Sequence, residues 1–75
     1  MSGELPVLRP AELIKALEKA GLYIVRQSGS HVILYKDGLP RPIPVPKHPR
    51  DLKKALQAKI IKEAGLTTAE LREFL

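Results

Sequence analysis

The sequence predicts an α+β fold in which two helices pack on one face of a three-stranded antiparallel sheet. One observation behind this prediction is the order of the periodic segments, which is helix, three strands, helix and a short last helix. Another is a run of alternating prolines, which suits the outer strand of a sheet. Helices on one face of an antiparallel sheet make a two-layer sandwich. The 75 residues, 44% of them hydrophobic, suffice for one such domain over residues 1–75.

The first helix is predicted to begin at Pro10, because a proline at the first helical position loses no intrahelical hydrogen bond. Gly21 is suited to end this helix in the left-handed conformation. Between these two residues, four apolar residues recur at helical spacing and form one stripe: Leu13, Ile14, Leu17 and Ala20.

Two strands are predicted next, at residues 22–26 and 31–36, because both segments are rich in β-branched and aromatic residues. Residues 27–30 form the turn between them. The second strand is apolar at consecutive positions, so we expect it to be the central strand, with either face able to join the core. Asp37-Gly38 is a hairpin signal that leads into the third strand.

The third strand is predicted in segment 39–49, where every second residue from position 40 to position 46 is a proline. All the missing N–H donors then lie on one side of the strand, while Arg41, Ile43 and Val45 keep theirs for a neighbour. This pattern indicates an edge strand that is protected against pairing with another chain. Ile43 and Val45 are expected to face the core and the prolines to face water.

A second helix is predicted from about residue 50 to Ala64, and Gly65 is expected to end it. Its apolar residues form a row with two alanines beside it: Leu52, Leu56 and Ile60, with Ala55 and Ala64. Thr67 and Glu70 have the spacing of a capping box and start the short last helix.

The charge balance favours a polyanionic partner. The chain carries 13 basic and 8 acidic residues, a formal net charge of +5, although charge of this size also serves solubility. With no cysteine, a disulfide scaffold and a thiolate metal site are excluded. No apolar stretch approaches the roughly 20 residues of a membrane span, and the N-terminus lacks a signal-peptide pattern. We therefore expect a cytoplasmic protein that binds nucleic acid and not a membrane.

His31 is the candidate catalytic residue. It follows Gly29 and Ser30 at the start of the central strand, where a glycine allows close approach of a ligand and the serine adds a hydroxyl and an N–H. An imidazole can take or give a proton near neutral pH. Because RNA supplies its own nucleophile, the 2′-hydroxyl, one well-placed base and some cationic groups suffice to cleave it without a metal. A solvated surface histidine is the alternative interpretation.

Basic residues are concentrated around the start of the second helix: Lys47, Arg50, Lys53 and Lys54. The helix dipole disfavours cations there, whereas the free N–H groups of a helix N-terminus bind anions. Lysines in this position therefore indicate phosphate binding, although a solvated charged face is equally open. His48 lies in the same segment and has three open interpretations: it donates to a phosphate, it protonates the leaving group, or it is only solvated. Three further cations are expected to extend this patch along the strands: Arg26, Lys36 and Arg41.

Other kinds of site have little support. The glutamates lie on predicted helices without forming a catalytic pair, and two histidines without cysteine make a zinc site improbable. There is no phosphate-binding glycine loop. The aromatic content of 4% is low for a base-stacking platform. We therefore predict no cofactor and no metal.

Three segments resemble the HicA toxins of bacterial toxin–antitoxin pairs. The first is the N-terminal helix followed by residues 25–31, Val-Arg-Gln-Ser-Gly-Ser-His. The second is residues 43–49, Ile-Pro-Val-Pro-Lys-His-Pro, and the third is residues 60–66, Ile-Ile-Lys-Glu-Ala-Gly-Leu. The resemblance covers nearly the whole chain in the family's order.

The resemblance implies a double-stranded-RNA-binding-like α-β-β-β-α fold and a metal-independent mRNA interferase activity. The family's catalytic histidine falls on His31, and the partner implied is a HicB-like antitoxin that covers the active face. The chain departs from the family at Ala55-Leu56-Gln57, where members often have Gly-Thr-Leu. We expect this departure to alter an RNA-binding or partner-binding surface and not the catalytic histidine.

Three functions remain to be distinguished. A toxin-type endoribonuclease that cleaves mRNA needs His31 as general acid/base, with RNA held by Arg26, Gly29, Ser30, Lys47, His48, Arg50, Lys53 and Lys54. A non-catalytic double-stranded-RNA-binding module needs only the lysines, which would grip phosphates at a helix start. A pure interaction protein needs neither and would dock a partner on the apolar sheet surface that two helices cannot cover. The position of Gly29 and Ser30 before His31 favours the ribonuclease.

Overall fold

The computed structural model describes residues 6–47 and 52–75 of the chain. Three helices and three strands follow in the order α1 (Pro10–Lys19), β1 (Tyr23–Ser28), β2 (His31–Tyr35), β3 (Ile43–Pro46), α2 (Lys54–Glu63) and α3 (Thr68–Arg72). The strands form one antiparallel sheet in the order β1-β2-β3. This architecture confirms the predicted α+β sandwich and the central position of β2.

A single cluster of buried apolar side chains lies between the sheet and the helices. The sheet contributes alternate residues to this core, so that Val32 and Leu34 are buried while their neighbours on β2 are more exposed. The side chains with almost no exposed surface come from every layer: Leu13, Leu17, Leu34, Ile43, Val45, Leu52, Ile60 and Leu71. One face of the sheet is therefore covered by helices, and the opposite face is not.

The proline-rich edge strand is confirmed, but it is shorter than predicted. Ile43 and Val45 are fully buried and pair with Leu34 and Val32, while Pro44 between them is exposed. β2 ends at Tyr35 and β3 begins at Ile43, so residues 36–42 form the connection between the two strands. Asp37-Gly38 makes a turn within this connection, with Gly38 at a φ of 98°, and does not form a two-residue hairpin.

Both predicted glycine helix ends are confirmed. Gly21 has a φ of 106°, and the amide of Leu22 donates to the carbonyl of Leu17 at 3.0 Å, which satisfies a carbonyl that the helix leaves free. Gly65 has a φ of 78° and follows α2 in the same way. The capping box is confirmed as well: the Glu70 amide donates to Thr67 Oγ1 at 3.1 Å, and the Thr67 amide donates to Glu70 Oε1 at 2.8 Å.

The second helix begins later than predicted, at Lys54, with Lys53 as its N-cap. Leu52 is buried ahead of the helix, where its amide donates to the carbonyl of Leu8 at 2.9 Å. The predicted contribution of Ala55 to the core is wrong, because Ala55 is exposed on the side of the helix opposite its buried residues. The buried residues of α2 and its C-cap follow helical spacing: Gln57, Ile60, Ile61 and Ala64.

Gln57 is a buried polar residue, only 3% exposed. Its Oε1 accepts a hydrogen bond from the Leu8 amide at 2.8 Å, and its Nε2 donates to the Pro6 carbonyl at 3.1 Å. The expectation that this departure from the family lies on a binding surface is therefore wrong for Gln57. Its side chain instead fastens the segment before α1 to α2.

No described helix is both long and apolar enough to cross a membrane.

Candidate functional site

The turn before His31 is tighter than predicted. β1 continues through Ser28, which pairs directly with His31, so only Gly29 and Ser30 connect the two strands. Gly29 has a φ of 55°, whereas Ser30, like every other described residue that is not glycine, does not have a positive φ, which is the pattern of a type II′ turn. A Cβ at Gly29 would meet no atom within 4 Å, so the glycine serves the backbone conformation and leaves open space beside the turn.

His31 is exposed at the first position of β2. Its Nδ1 lies 3.4 Å from the hydroxyl of Ser30. The two predicted site residues are thus in contact, and the open space at Gly29 lies beside them. A ligand can reach the imidazole without any movement of the backbone.

The register of the sheet determines which face carries His31. Side chains alternate along β2, so His31, Ile33 and Tyr35 share the face opposite the buried Val32 and Leu34. Residues paired across strands share a face, which adds their partners on β1 and β3. We call this surface the open face, and it consists of Tyr23, Arg26, Ser28, His31, Ile33, Tyr35, Pro44 and Pro46.

Two tyrosines occupy the end of the open face that is farthest from His31. The rings of Tyr23 and Tyr35 pack edge to face, with centroids 6.1 Å apart and planes at 81°. The Tyr23 hydroxyl donates to Asp37 at 3.3 Å, and the Tyr35 hydroxyl donates to the carbonyl of Leu39 at 3.0 Å. Desolvation, and then the charge of Asp37, raise the pKa of Tyr23, so its hydroxyl stays neutral and donating.

These tyrosines are functional candidates that the sequence analysis missed. The low aromatic content led the sequence analysis away from them, but their positions are informative. Tyr35 is four residues after His31 on β2 and so shares its face, and the strand register places Tyr23 opposite Tyr35. Placing Tyr23 on the face of His31 requires two facts, the two-residue turn and the bulge between Ile24 and Arg26, which shifts the register by one residue.

Lys47 lies at the same end of the sheet as His31. Its backbone amide donates to the carbonyl of Ser30, and its Nζ lies 3.5 Å from Oε1 of Gln27. Arg26 is exposed on the open face, one cross-strand row from His31. The structure therefore brings together four of the predicted site residues, Arg26, Gly29, Ser30 and His31. The side chain of Lys47 lies with Gln27 and Val32 on the helix side of the sheet, away from the open face.

Lys53 and Lys54 are exposed at the start of α2 and belong to the helix layer, not to the open face. Lys53 is the N-cap and its side chain makes no capping hydrogen bond. The segment that joins these lysines to Lys47 contains His48 and Arg50, and both of these predicted RNA contacts lie outside the described residues.

Contrary to the prediction, Lys36 and Arg41 do not extend the basic patch. The Nζ of Lys36 donates to the carbonyl of Ala20 at 3.4 Å, where a cation suits the C-terminal end of α1. Arg41 lies in the connection 36–42, at the end of the sheet opposite His31. Of the three cations, Arg26 alone belongs to the surface that carries His31.

A second surface lies on the helix side of β1. A groove of about 660 Å³ runs between α1 and the sheet, with apolar walls that include Ile14, Ile24 and Val32. Ile24 is 39% exposed. Apolar surface that the helices do not cover is therefore present, as the interaction hypothesis expected.

Over residues 6–47 and 52–75, no three side chains of histidine, cysteine, aspartate or glutamate are grouped so that they could hold a metal ion.

Comparison with known proteins adds the family. Residues 10–66, which include all three strands and α2, match the family model described as the HicA toxin of bacterial toxin–antitoxin systems. A comparison with curated protein sequences found no match. Because the matched region covers well over half of the 75 residues, the chain belongs to the HicA family of toxins from bacterial toxin–antitoxin systems.

Proposed function

We propose that this toxin is an endoribonuclease that cleaves mRNA without a metal ion, with His31 as its general acid/base. The observation that carries the proposal is the exposed position of His31 beside Ser30, on an open sheet face where Arg26 supplies positive charge. Membership of a toxin family supports an activity that damages a cellular component, and we propose that this component is mRNA.

The reaction that fits one histidine is an internal transfer. The 2′-hydroxyl of a nucleotide loses its proton to the imidazole, and its oxygen bonds to the adjacent phosphorus. The bond from phosphorus to the 5′-oxygen of the next nucleotide breaks, and that oxygen takes a proton from the imidazolium, directly or through water, which returns His31 to its starting state. The products are a 2′,3′-cyclic phosphate and a free 5′-hydroxyl. Arg26, on the same face as His31, is placed to balance the charge that develops on the phosphate oxygens.

Ser30 is the positioning residue in this proposal. Its hydroxyl contacts Nδ1 of His31, so the other ring nitrogen, Nε2, is assigned to proton transfer. The interaction also restricts rotation of an imidazole that is otherwise exposed.

The structure of the products tests the proposed reaction. We expect the purified protein to cleave a mixed-sequence RNA in excess chelator and to leave a 2′,3′-cyclic phosphate on every upstream fragment, as measured by mass spectrometry. Replacing the 2′-hydroxyl at a cleaved position by hydrogen should abolish cleavage there. Cleavage at a 2′-deoxy position, or products with a 5′-phosphate, would contradict the mechanism.

We propose that Lys53 and Lys54, at the start of α2, bind RNA phosphates, and that Lys53 as the N-cap lowers the stability of the protein. We expect Lys53→Ser to raise the free energy of unfolding by about 0.5–1 kcal/mol, because a serine N-cap bonds a helix N–H that Lys53 leaves free. The same change should weaken RNA binding. It should also reduce the slope of the logarithm of the binding constant against the logarithm of salt concentration by about 0.7–0.9. Thermal melts and binding titrations at several salt concentrations measure both effects.

Lys59→Gln is the matched control for Lys53, since Lys59 is an exposed lysine in the middle of the same helix. A slope that changes equally in both variants would mean that only net charge matters, and Lys53 would then have no specific role.

A non-catalytic double-stranded-RNA-binding module is the second candidate function. The exposed Lys53 and Lys54 at a helix start favour it, because such lysines can grip phosphates across a groove. Binding of duplex RNA without any cleavage of single-stranded RNA would support this alternative over the ribonuclease.

Membership of a toxin–antitoxin family implies that this toxin has an antitoxin partner. We propose that the partner is HicB-like, that it neutralises the toxin by covering the His31 end of the open face, and that both act in the cytoplasm. Two results would support this arrangement: added antitoxin should prevent cleavage of RNA, and it should slow hydrogen exchange of the Ser30 amide with solvent.

A further inference from the structure

We propose that the open face is a subsite for single-stranded RNA, on which a base stacks against Tyr23 while Arg26 pairs with the backbone phosphate nearest His31. This inference rests on the proposed function, because it locates the strand that His31 cleaves. It adds an RNA-binding surface and a stacking residue, Tyr23, that the sequence did not suggest.

The dimensions of the face suit a short stretch of RNA. Along β2, His31 and Tyr35 are four residues apart, which corresponds to about 13 Å of strand. Sheet faces of about this size hold two or three unstacked bases in known RNA-binding modules. The face therefore accommodates the nucleotides next to the cleaved bond.

The tyrosines are held in place before any ligand arrives. Tyr23 is 47% exposed, and its ring is supported from the side by Tyr35. Each hydroxyl is anchored, one on Asp37 and one on Leu39. A fixed, half-exposed aromatic ring offers a stacking surface with little loss of side-chain freedom.

Charge gives the face a direction. Arg26 lies at the middle of the face and His31 at one end, whereas Asp37 lies beside Tyr23 at the other end. Phosphates are attracted to the His31 end and repelled from Asp37. The RNA strand is therefore oriented with its reacting phosphate at His31 and a base at Tyr23.

A single strand fits this surface and the reaction better than a duplex does. Attack by a 2′-hydroxyl requires it to swing into line with the departing oxygen, which the regular A-form helix does not permit. Proteins recognise duplex RNA mostly through its minor grooves and phosphates, whereas unpaired bases stack on aromatic side chains. An aromatic residue beside a catalytic histidine on an open sheet thus indicates an unpaired substrate.

The test uses the intact protein and an RNA that cannot be cut, a single-stranded hexanucleotide with 2′-O-methyl groups throughout. We expect Tyr23→Leu to weaken its binding about tenfold. Arg26→Gln should weaken binding several-fold and lower the log–log salt slope by about 0.7. Leu75→Ala and Lys59→Gln are the matched controls, because they remove an exposed apolar group and an exposed charge away from the open face.

Intrinsic fluorescence gives a second measurement. The chain has two tyrosines and no tryptophan, and both tyrosines lie on the open face. Stacking of a base should therefore quench most of the emission on adding the hexanucleotide, whereas a duplex of equal absorbance should not. In the Tyr23→Leu variant, the hexanucleotide should quench the remaining fluorescence, which comes from Tyr35, much less.

The outcomes separate this inference from the proposed function. If unmodified RNA is cleaved but Tyr23→Leu and Arg26→Gln bind like their controls, the subsite is overturned and the ribonuclease stands. If the hexanucleotide does not bind at all, the subsite is overturned as well, and the cleavage assay decides the function. Unchanged RNA binding with weakened antitoxin binding in the two variants would assign the open face to the protein partner instead.

Discussion

Replacement of His31 by glutamine is expected to lower the rate of RNA cleavage by about 10²- to 10⁴-fold, which is the usual contribution of a general acid/base. Glutamine keeps a polar side chain of similar reach but cannot exchange a proton near neutral pH. The measurement is the initial rate of cleavage of a mixed-sequence RNA in excess chelator, with protein and RNA concentrations held equal for both forms.

The loss should come from chemistry and not from folding or binding. His31 is exposed, and its described side-chain contact is the 3.4 Å approach to Ser30, so we expect the melting temperature to change little. Affinity for the uncuttable 2′-O-methyl hexanucleotide should stay within a few-fold of that of the unaltered protein. Lys59→Gln, prepared in parallel, controls for a contaminating nuclease.

Equal cleavage by the two forms would remove His31 from the mechanism. If the unaltered protein binds RNA and neither form cuts it, the non-catalytic binding module becomes the better description. A large fall in melting temperature for His31→Gln would instead mean that the residue supports the fold, which its exposure argues against.

The prolines of β3 show why the fold was predictable. They allow one strand to lie only at the edge of the sheet and only in one orientation, because a proline cannot donate to a neighbour. That orientation buries Ile43 and Val45, and the observed pairing of these residues with Leu34 and Val32 fixes the buried face of β2. His31 follows onto the open face by alternation alone.

The placement of His31 was nevertheless left undecided by the sequence, because Val32 to Tyr35 are apolar in both registers. The missing fact for His31 was the register of β2 with the edge strand, which sets Val32 and Leu34 opposite Val45 and Ile43 on the buried face. The placement of β1 depends on two further facts that do not appear in a hydrophobic pattern, a turn of two residues and a bulge between Ile24 and Arg26. The open face and its two tyrosines became visible only with the register.

Gln57 was misread for a different reason. A glutamine in an amphipathic helix is ordinarily exposed, since burying an amide costs free energy unless its hydrogen bonds are restored. Its partners here, the amide of Leu8 and the carbonyl of Pro6, are 49 and 51 residues away along the chain. No local pattern can reveal a contact over that distance.

The importance of this contact is expected to appear in Gln57→Leu, which keeps a side chain of similar size and removes both of its hydrogen bonds. We expect the free energy of unfolding to fall by about 1–3 kcal/mol, because the buried Leu8 amide loses its partner and leucine cannot replace it. A domain of this size has a total stability of about 4–11 kcal/mol, so the loss is a large fraction. Urea titration followed by circular dichroism measures it.

Amide hydrogen exchange distinguishes a local from a general effect. Protection of the Leu8 amide should be lost in Gln57→Leu beyond the fall in global stability, whereas the amide of Leu22, bonded to Leu17 at the far end of α1, should follow global stability alone. Gln27→Leu is the matched control, because Gln27 is exposed and its described bond is a 3.5 Å contact with Lys47. An unchanged or increased stability of Gln57→Leu would mean that water or a shift of the segment before α1 satisfies these backbone groups, and Gln57 would then not be what fastens that segment to α2.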